Sequence, residues 1–135
     1  MPIGRLTTYR WFDRTNASES FDDPSWSAVE RAIAALDGGQ RNDLYLFPKA
    51  DDPHTWLCIG GGAGRYLVSG SLASERFPTL VDHTRPGDEE VTVTVGGQGG
   101  DYPANWVVDL PAALAAAKDF FDASGFEGTT KWTMA

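Results

Sequence analysis

The sequence is poor in cysteine and histidine, and this shortage argues against several kinds of site. Among 135 residues there are one cysteine, Cys58, and two histidines, His54 and His83. A single thiol cannot form an intramolecular disulfide and supplies neither a zinc-binding cysteine pair nor a redox Cys-x-x-Cys motif. Neither histidine has a partner at metal-ligand spacing. We therefore expect no metal, no cofactor and a reducing compartment.

Basic charge and long apolar runs are also scarce. The chain has 11 Lys and Arg against 19 Asp and Glu, a formal net charge of −8, and an isoelectric point near 4.5. Such an acid excess opposes binding to nucleic acid or to an anionic membrane. No apolar run reaches the roughly 18 residues that span a bilayer, and the N-terminus lacks the apolar core of a signal peptide. We expect a cytoplasmic protein.

Apolar residues are present in the amount that a folded domain needs. Hydrophobic residues make up 41% of the chain and aromatic residues 12%, which is too rich for a disordered chain. The length suits one core. We expect a single domain over residues 1–135.

The first part of the chain predicts a strand, a loop and a helix. Residues 7–12 are β-branched and aromatic, and the polar stretch 13–23 is typical of a loop. Asp23 followed by Pro24 predicts a helix start. One apolar stripe then recurs at helical spacing, and Gly38 and Gly39 end it. The stripe consists of Trp26, Val29, Ile33 and Leu36.

The rest of the chain alternates with a period of two, apart from one further helix. Strands are predicted at residues 44–47, 55–59, 65–72, 91–95 and 129–134. A second helix over residues 111–124 has Asp109 as its cap and Gly125 as its stop, with Leu114, Ala117 and Phe121 on one face. Because the strands mostly follow one another without crossovers, we predict an α+β fold. Its sheet is mostly antiparallel, or mixed, with about five to six strands and two helices packed against it.

Two features could carry chemistry, and each also has a structural interpretation. The run Gly60 to Gly64 is rich enough in glycine for a phosphate loop, but a strand follows it instead of a helix, which favours a hairpin turn. Cys58 could be a nucleophile with His54 nearby. Its place on an alternating strand face favours a buried thiol instead.

The acidic residues form short groups that fit two interpretations. None of these groups has the spacing of a calcium-binding loop. They are either solvated turns or an acidic face for a basic protein partner. A further alternative is a pair of carboxylates for glycoside hydrolysis, which would come together only in the folded protein.

The pattern of residues 91–135 resembles the Imm1 family of bacterial immunity proteins. A strand enters a Gly-Gly-Gln turn, a proline starts an Ala-rich helix with an aromatic residue near its end, a Ser-Gly break follows, and a tryptophan comes late. Where the family commonly has proline after the glycine stop, this chain has Phe126-Glu127-Gly128. The residues that carry the resemblance are Gly96, Gly97, Gln98, Pro111, Phe121, Gly125 and Trp132. We interpret them as structural.

The resemblance implies a small antitoxin that does no catalysis. Such a protein binds a cognate polymorphic toxin domain, often a nucleic-acid deaminase, and blocks its active site. Because interfaces favour aromatic anchors and acids complement a basic partner, we expect aromatic and acidic residues to contact the toxin. They are Asp51, Asp52, Trp56, Asp88, Glu89, Glu90, Asp101, Tyr102 and Trp106. The alternatives are a small-molecule-binding or hydrolytic domain with a site near residues 60–64 or 96–100, and a structural subunit of a larger assembly.

Overall fold

A computed structural model describes residues 3–134 of the chain. Within this range the chain forms ten β-strands, two α-helices and one short 3-10 turn. The helices are α1 (Trp26–Ala34) and α2 (Leu110–Ala123), and the 3-10 turn is Ala104–Trp106. The strands are β1 (Arg5–Phe12), β2 (Thr15–Asp22), β3 (Asp43–Phe47), β4 (Trp56–Gly62), β5 (Arg65–Ser71), β6 (Pro78–Leu80), β7 (Glu90–Val95), β8 (Gln98–Pro103), β9 (Val107–Val108) and β10 (Trp132–Met134).

Eight strands form one antiparallel sheet, and β7 and β8 form a separate hairpin. The order in the large sheet is β10-β6-β5-β4-β3-β1-β2, and β9 pairs with β5 beside β6. The predicted α+β class and antiparallel sheet are confirmed, but five to six strands was too few. Strands β6 and β9 have only three and two residues, so they carry too little alternation to be recognised in the sequence.

The predicted loop over residues 13–23 is wrong, because most of it forms β2. This strand pairs with β1 in continuous register from Arg5 opposite Asp22 to Phe12 opposite Thr15. All of its residues are exposed. A strand exposed on both faces has no apolar alternation, and its pairing with β1 is a tertiary contact.

Helix α1 begins two residues later than predicted. Its N-cap is Ser25, whose hydroxyl accepts a hydrogen bond from the Ala28 amide at 3.2 Å. Asp23, the predicted cap, has a positive φ of 49° and lies before the helix. The apolar stripe is confirmed, because Val29 and Ile33 are fully buried.

Helix α2 has the predicted cap, and its stop involves Ser124 as well as the predicted Gly125. The Asp109 carboxylate accepts a hydrogen bond from the Ala112 amide at 3.0 Å, with Pro111 in the first turn. At the other end Ser124 takes the left-handed conformation, with φ of 54°, and Gly125 after it also has a positive φ, of 151°. The Gly125 amide then donates to the Phe120 carbonyl at 3.1 Å, which closes the last turn.

Both helices pack on one face of the large sheet and close the main core. That core contains buried aliphatic residues of the strands together with one side of each helix. Phe120 is fully buried and meets Phe126 edge to face, with ring centroids 4.8 Å apart. Phe126 in turn meets Trp132 at 5.2 Å, whereas Phe121 packs against Trp26 at 5.6 Å. Trp132 is therefore a partly buried core residue, with Phe126 as its ring neighbour.

The last strand is shorter than predicted because Asp119 holds the residues before it. Its carboxylate accepts hydrogen bonds from the amides of Thr129 at 3.1 Å and Thr130 at 2.7 Å. Desolvation opposes ionisation of Asp119, but these bonds outweigh it and keep its pKa below the usual value. The predicted strand over 129–134 therefore begins only at Trp132.

The hairpin β7–β8 lies against the sheet face opposite the helices. Val93 forms a small second core with Leu67 and Val107, and Tyr102 packs on its margin. The hairpin reverses at Gly96 and Gly97, both with positive φ, as the sequence predicts. Gln98 opens β8 opposite Val95.

Most of the predicted glycine turn is strand. The turn itself is Ala63 and Gly64, and the glycines at 60–62 belong to β4. A Cβ on Gly60 would lie 2.7 Å from the Val95 side chain. These glycines therefore let the β7–β8 hairpin approach the sheet closely.

Candidate functional site

The sheet face opposite the helices carries a cluster of aromatic side chains beside the β7–β8 hairpin. They come from alternate positions of three neighbouring strands, where side chains point to the same face. We call this cluster the aromatic face, and it consists of Tyr9, Trp11, Tyr45, Phe47 and Trp56. All five are partly exposed.

Tyr45 is the centre of the aromatic face. Its ring meets Trp56 edge to face at 5.2 Å and Tyr9 at 5.8 Å, and it lies 6.4 Å from Phe47. Tyr9 stacks with Trp11 at 6.3 Å. Rings at these separations attract one another through their quadrupoles, so the cluster is held in place without a ligand.

Trp11 and the hairpin turn define one end of the aromatic face. The Trp11 indole donates a hydrogen bond to Asp43 at 2.9 Å. Gly97 packs against the Trp11 ring, where no Cβ would fit. The Gly97 amide also donates to the Asn42 side chain at 2.9 Å. The hairpin turn is therefore fixed to the start of β3.

Burial controls the titration of the groups around Tyr45. It raises the pKa of Tyr45 and of Tyr9, with the Asp43 charge adding to both shifts. Burial also raises the pKa of Asp43, although the Trp11 hydrogen bond partly offsets it. It raises the pKa of Cys58 to about 12. Cys58 is thus protonated at neutral pH, and a protonated thiol is a poor nucleophile.

Cys58 and His54 differ in burial and in hydrogen-bond partners. Cys58 is a buried free thiol, as expected from its strand. His54 is exposed, and its Nδ1 lies 3.1 Å from the Ser74 hydroxyl. Among residues 3–134, no three His, Cys, Asp or Glu side chains are grouped as metal ligands.

The predicted contact residues fall into two groups, and the first consists of Trp56, on the aromatic face, and two acids in the loop before it. Trp56 is a member of that face. Asp51, which is exposed, and Asp52, which is partly buried, lie in the loop between β3 and β4. This loop follows Phe47 and leads into Trp56. The trio is therefore continuous with the aromatic face along the chain.

The second group lies on the β7–β8 hairpin and the residues beside it. Glu90 stands opposite Pro103, and Thr92 opposite Asp101, whose carboxylate accepts the Thr92 hydroxyl at 2.6 Å. Alternation directs these side chains away from the buried Val93 side of the hairpin. Asp88 and Glu89 precede β7 and are exposed, and Trp106 of the 3-10 turn is 39% exposed. Tyr102 faces the small core.

The structure brings Asp88, Glu89, Glu90 and Asp101 to one hairpin. The Ala104 amide donates to the Glu89 carbonyl at 2.8 Å, which holds the start of β7 beside the 3-10 turn. Four acids on the hairpin and in the two residues before it make a local negative surface. Charge is also uneven along the chain, since residues 1–41 carry five basic and six acidic side chains, and residues 42–135 carry six and thirteen.

Four of the five aromatic-face residues were missed in the sequence. Their signal was available, because Tyr9 and Trp11 in β1 and Tyr45 and Phe47 in β3 occupy every second position. Alternation shows that such residues share a face. It does not show which face the helices cover.

The glycine-rich segments proposed as an alternative site differ in accessibility. Gly60 and Gly61 are buried against Val95 and Val93 of the hairpin. Beside Gly97 there is an open depression of about 420 Å³, lined also by Trp11, Gly39 and Asn42. It adjoins the aromatic face at the Trp11 end.

Comparison of the chain with family models, with curated proteins and with solved structures found no match. No helix within residues 3–134 is long and apolar enough to cross a membrane.

Proposed function

We propose that this chain is an immunity protein that binds a basic toxin domain and blocks its active site. The observation that carries the proposal is the aromatic face, five partly exposed rings on a sheet face that the helices leave open. The resemblance of residues 91–135 to the Imm1 family gives the class of partner. A nucleic-acid deaminase is one such toxin domain.

The aromatic face suits a protein partner. Tyrosine and tryptophan dominate the energetics of protein interfaces, because each buries a large area and has few side-chain torsions to fix. Here Tyr45 and Trp56 already pack against each other. Ordering them on binding therefore costs little entropy.

The acidic hairpin supplies the electrostatic part of the proposal. Asp88, Glu89, Glu90 and Asp101 are exposed, so they attract a basic domain without a large desolvation cost. Charges at an interface rim mainly accelerate association. The hairpin packs on the sheet face that bears the aromatic cluster, so one partner can contact both.

The first test measures binding of the toxin domain encoded beside this gene. Trp56→Ala should weaken the dissociation constant by about 30-fold or more, the effect of losing a hot-spot aromatic. Phe77→Ala is the matched control, because Phe77 is 47% exposed and lies outside the aromatic face. Calorimetry should show at most a twofold change for the control. Equal effects of the two variants would contradict a contact at the aromatic face.

A second test addresses the hairpin charges. Replacing Asp88, Glu89 and Glu90 together with their amides keeps their size and removes three charges. Stopped-flow association should slow several-fold at low salt and less at physiological salt, because salt screens exposed charges. If the association rate is independent of salt for both the wild type and the triple variant, the acidic side chains do not accelerate association.

A third test concerns mechanism. A protein that occupies the toxin active site inhibits one toxin molecule per bound copy, so titration of toxin activity should end at equimolar protein. Full protection by a small fraction of that amount would indicate an enzyme acting on the toxin or its product. That result would refute the proposed mode of action.

A further inference from the structure

Strand β2 forms an open edge of the large sheet, and the direction of its backbone N–H and C=O groups follows from its pairing with β1. Trp11, opposite Asn16 in the β1–β2 ladder, donates its amide to the Gln40 carbonyl at 2.7 Å, away from β2. In an antiparallel pair, opposed residues either both bond across or both point away. Asn16 therefore directs its N–H and C=O outward, and alternation gives Ser18, Ser20 and Asp22 the same direction.

The β2 edge lacks most of the usual protection against pairing. Edge strands are commonly short, bulged, or blocked by proline or lysine. The sequence of β2 has no proline or lysine, its register with β1 is unbroken, and it has eight residues. The opposite edge, β10, has only three residues and follows Lys131.

The sequence of β2 is complementary to itself in one antiparallel register. With Ser18 opposite Ser18 of a second copy, Asn16 lies opposite Ser20 and Arg14 lies opposite Asp22. The outward-pointing groups then form about six backbone hydrogen bonds. Arg14 of the β1–β2 turn and Asp22, which already pairs with Arg5 of its own chain at 3.1 Å, bring opposite charges together at each end. Glu19 lies opposite Ala17, so no like charges are directly opposed.

Charge and shape near β2 also suit a second copy. Residues 1–41 are nearly neutral, in contrast to the acidic remainder. On the helix side of the edge is an apolar groove of about 310 Å³, lined among others by Leu6, Phe21, Ala28 and Ala32. Phe21 is 45% exposed there. In the self-paired register Thr15 of the second copy stands opposite Phe21 and covers part of it.

We propose that β2 pairs with β2 of a second copy of this chain, antiparallel about a two-fold axis at Ser18, to form a homodimer. The dimer joins the two sheets into one, and none of the four acids Asp88, Glu89, Glu90 and Asp101 belongs to the paired strands. Formation of the homodimer does not depend on toxin binding.

The decisive experiment exchanges the end charges. Arg14→Glu opposes two acids at each end of the homodimer, and Asp22→Arg opposes two arginines. Sedimentation equilibrium should show a dissociation constant raised about tenfold or more for each variant alone. In an equimolar mixture both ends regain opposite charges, so a heterodimer should form within about threefold of the wild-type affinity. Native mass spectrometry identifies it by mass.

Ser18→Pro provides an independent test of the backbone pairing. The Ser18 amide points outward, so proline in both copies removes two hydrogen bonds of the dimer and none of the β1–β2 ladder. This variant should be monomeric with an unfolding midpoint close to that of the wild type. Ala17→Pro, which removes an inward amide, is the control that should lose stability.

Three results would overturn the proposal. They are a wild-type chain that stays monomeric at about 1 mM, an equimolar mixture no more dimeric than the single variants, and a dimeric Ser18→Pro protein. If the wild type is monomeric and Ser18→Pro loses affinity for the toxin domain, the edge pairs with a toxin strand instead. Loss of toxin binding in Trp56→Ala would still report on the aromatic face separately.

Discussion

The two faces of the large sheet differ in what covers them, and β3 shows the difference residue by residue. Leu44 and Leu46 point toward the helices and are 1% and 0% exposed. Tyr45 and Phe47 point the other way and are partly exposed. One strand thus contributes both to an aliphatic core and to an aromatic surface. The comparison separates residues that hold the fold from residues that are available to a partner.

The largest effect should come from the helix-covered face. Phe120→Ala removes a fully buried ring and should lower the free energy of unfolding by about 3–5 kcal/mol. Trp56→Ala, on the open face, should cost about 1–2 kcal/mol, because its ring is only partly buried. Urea denaturation of both variants measures the contrast. Equal losses of unfolding free energy in the two variants would mean that both sheet faces contribute equally to stability.

A smaller effect should follow from crowding the contact between the hairpin and the sheet. Gly60→Ala brings a Cβ within 2.7 Å of Val95 and should cost about 1–3 kcal/mol, the range for an overpacked site. Gly99→Ala is the control, since a Cβ there would meet no described atom within 4 Å. Thermal unfolding compares the two. A neutral Gly60→Ala would show that the hairpin is loosely attached.

Substitution and labelling of Cys58 test how completely its thiol is buried beneath the aromatic face. Cys58→Ser should cost about 1–3 kcal/mol, because it buries a hydroxyl, which is more polar than a thiol, and should leave partner binding intact. With a pKa of about 12, native Cys58 should also react slowly with a disulfide reagent at neutral pH. Rapid labelling of the folded protein, or loss of protection against toxin with unchanged folding, would refute this role.

The smallest effect should be a pH dependence from Asp43. Burial raises the pKa of this carboxyl in the folded state, so the folded protein binds the proton more tightly than the unfolded chain. Its contribution to stability is present below the unfolded pKa of about 3.9 and is lost as pH rises through the folded pKa.

Asp43→Asn isolates that contribution. The amide oxygen can still accept from Trp11 and does not titrate, so the difference in unfolding free energy between wild type and variant should favour the variant increasingly above about pH 4. Denaturation at several pH values measures it. A difference that stays constant with pH would show that Asp43 is solvated, contrary to its burial.

The features that could be predicted from the sequence are those that depend on residues close together in the chain. The stripe of α1 and the cap of α2 were predicted because they depend on residues three or four apart. Strand β2 was missed because each of its residues is exposed, and only pairing with β1 makes it a strand. At the end of α2 both Ser124 and Gly125 have a positive φ. The glycine was predicted from its residue type, whereas nothing in the local sequence marked the serine.

The candidate site was predicted only in part. Trp56 was selected for its chemistry, but its neighbours Tyr45 and Tyr9 come from strands that lie apart in the chain. The acids at 88–90 and 101 were selected separately, and the register of β7 with β8 brings them to one hairpin. Their contact with a toxin remains a prediction.

By itself, the sequence determined two amphipathic helices, an antiparallel sheet, the turn at Gly96 and Gly97, and the acid excess. These depend on periodicity, local sterics and composition. The tertiary structure alone decided which sheet face the helices cover, why glycines stand in β4, and which edge stays open. Those features come from packing between segments far apart in the chain, where each side chain is constrained by neighbours that local sequence does not specify.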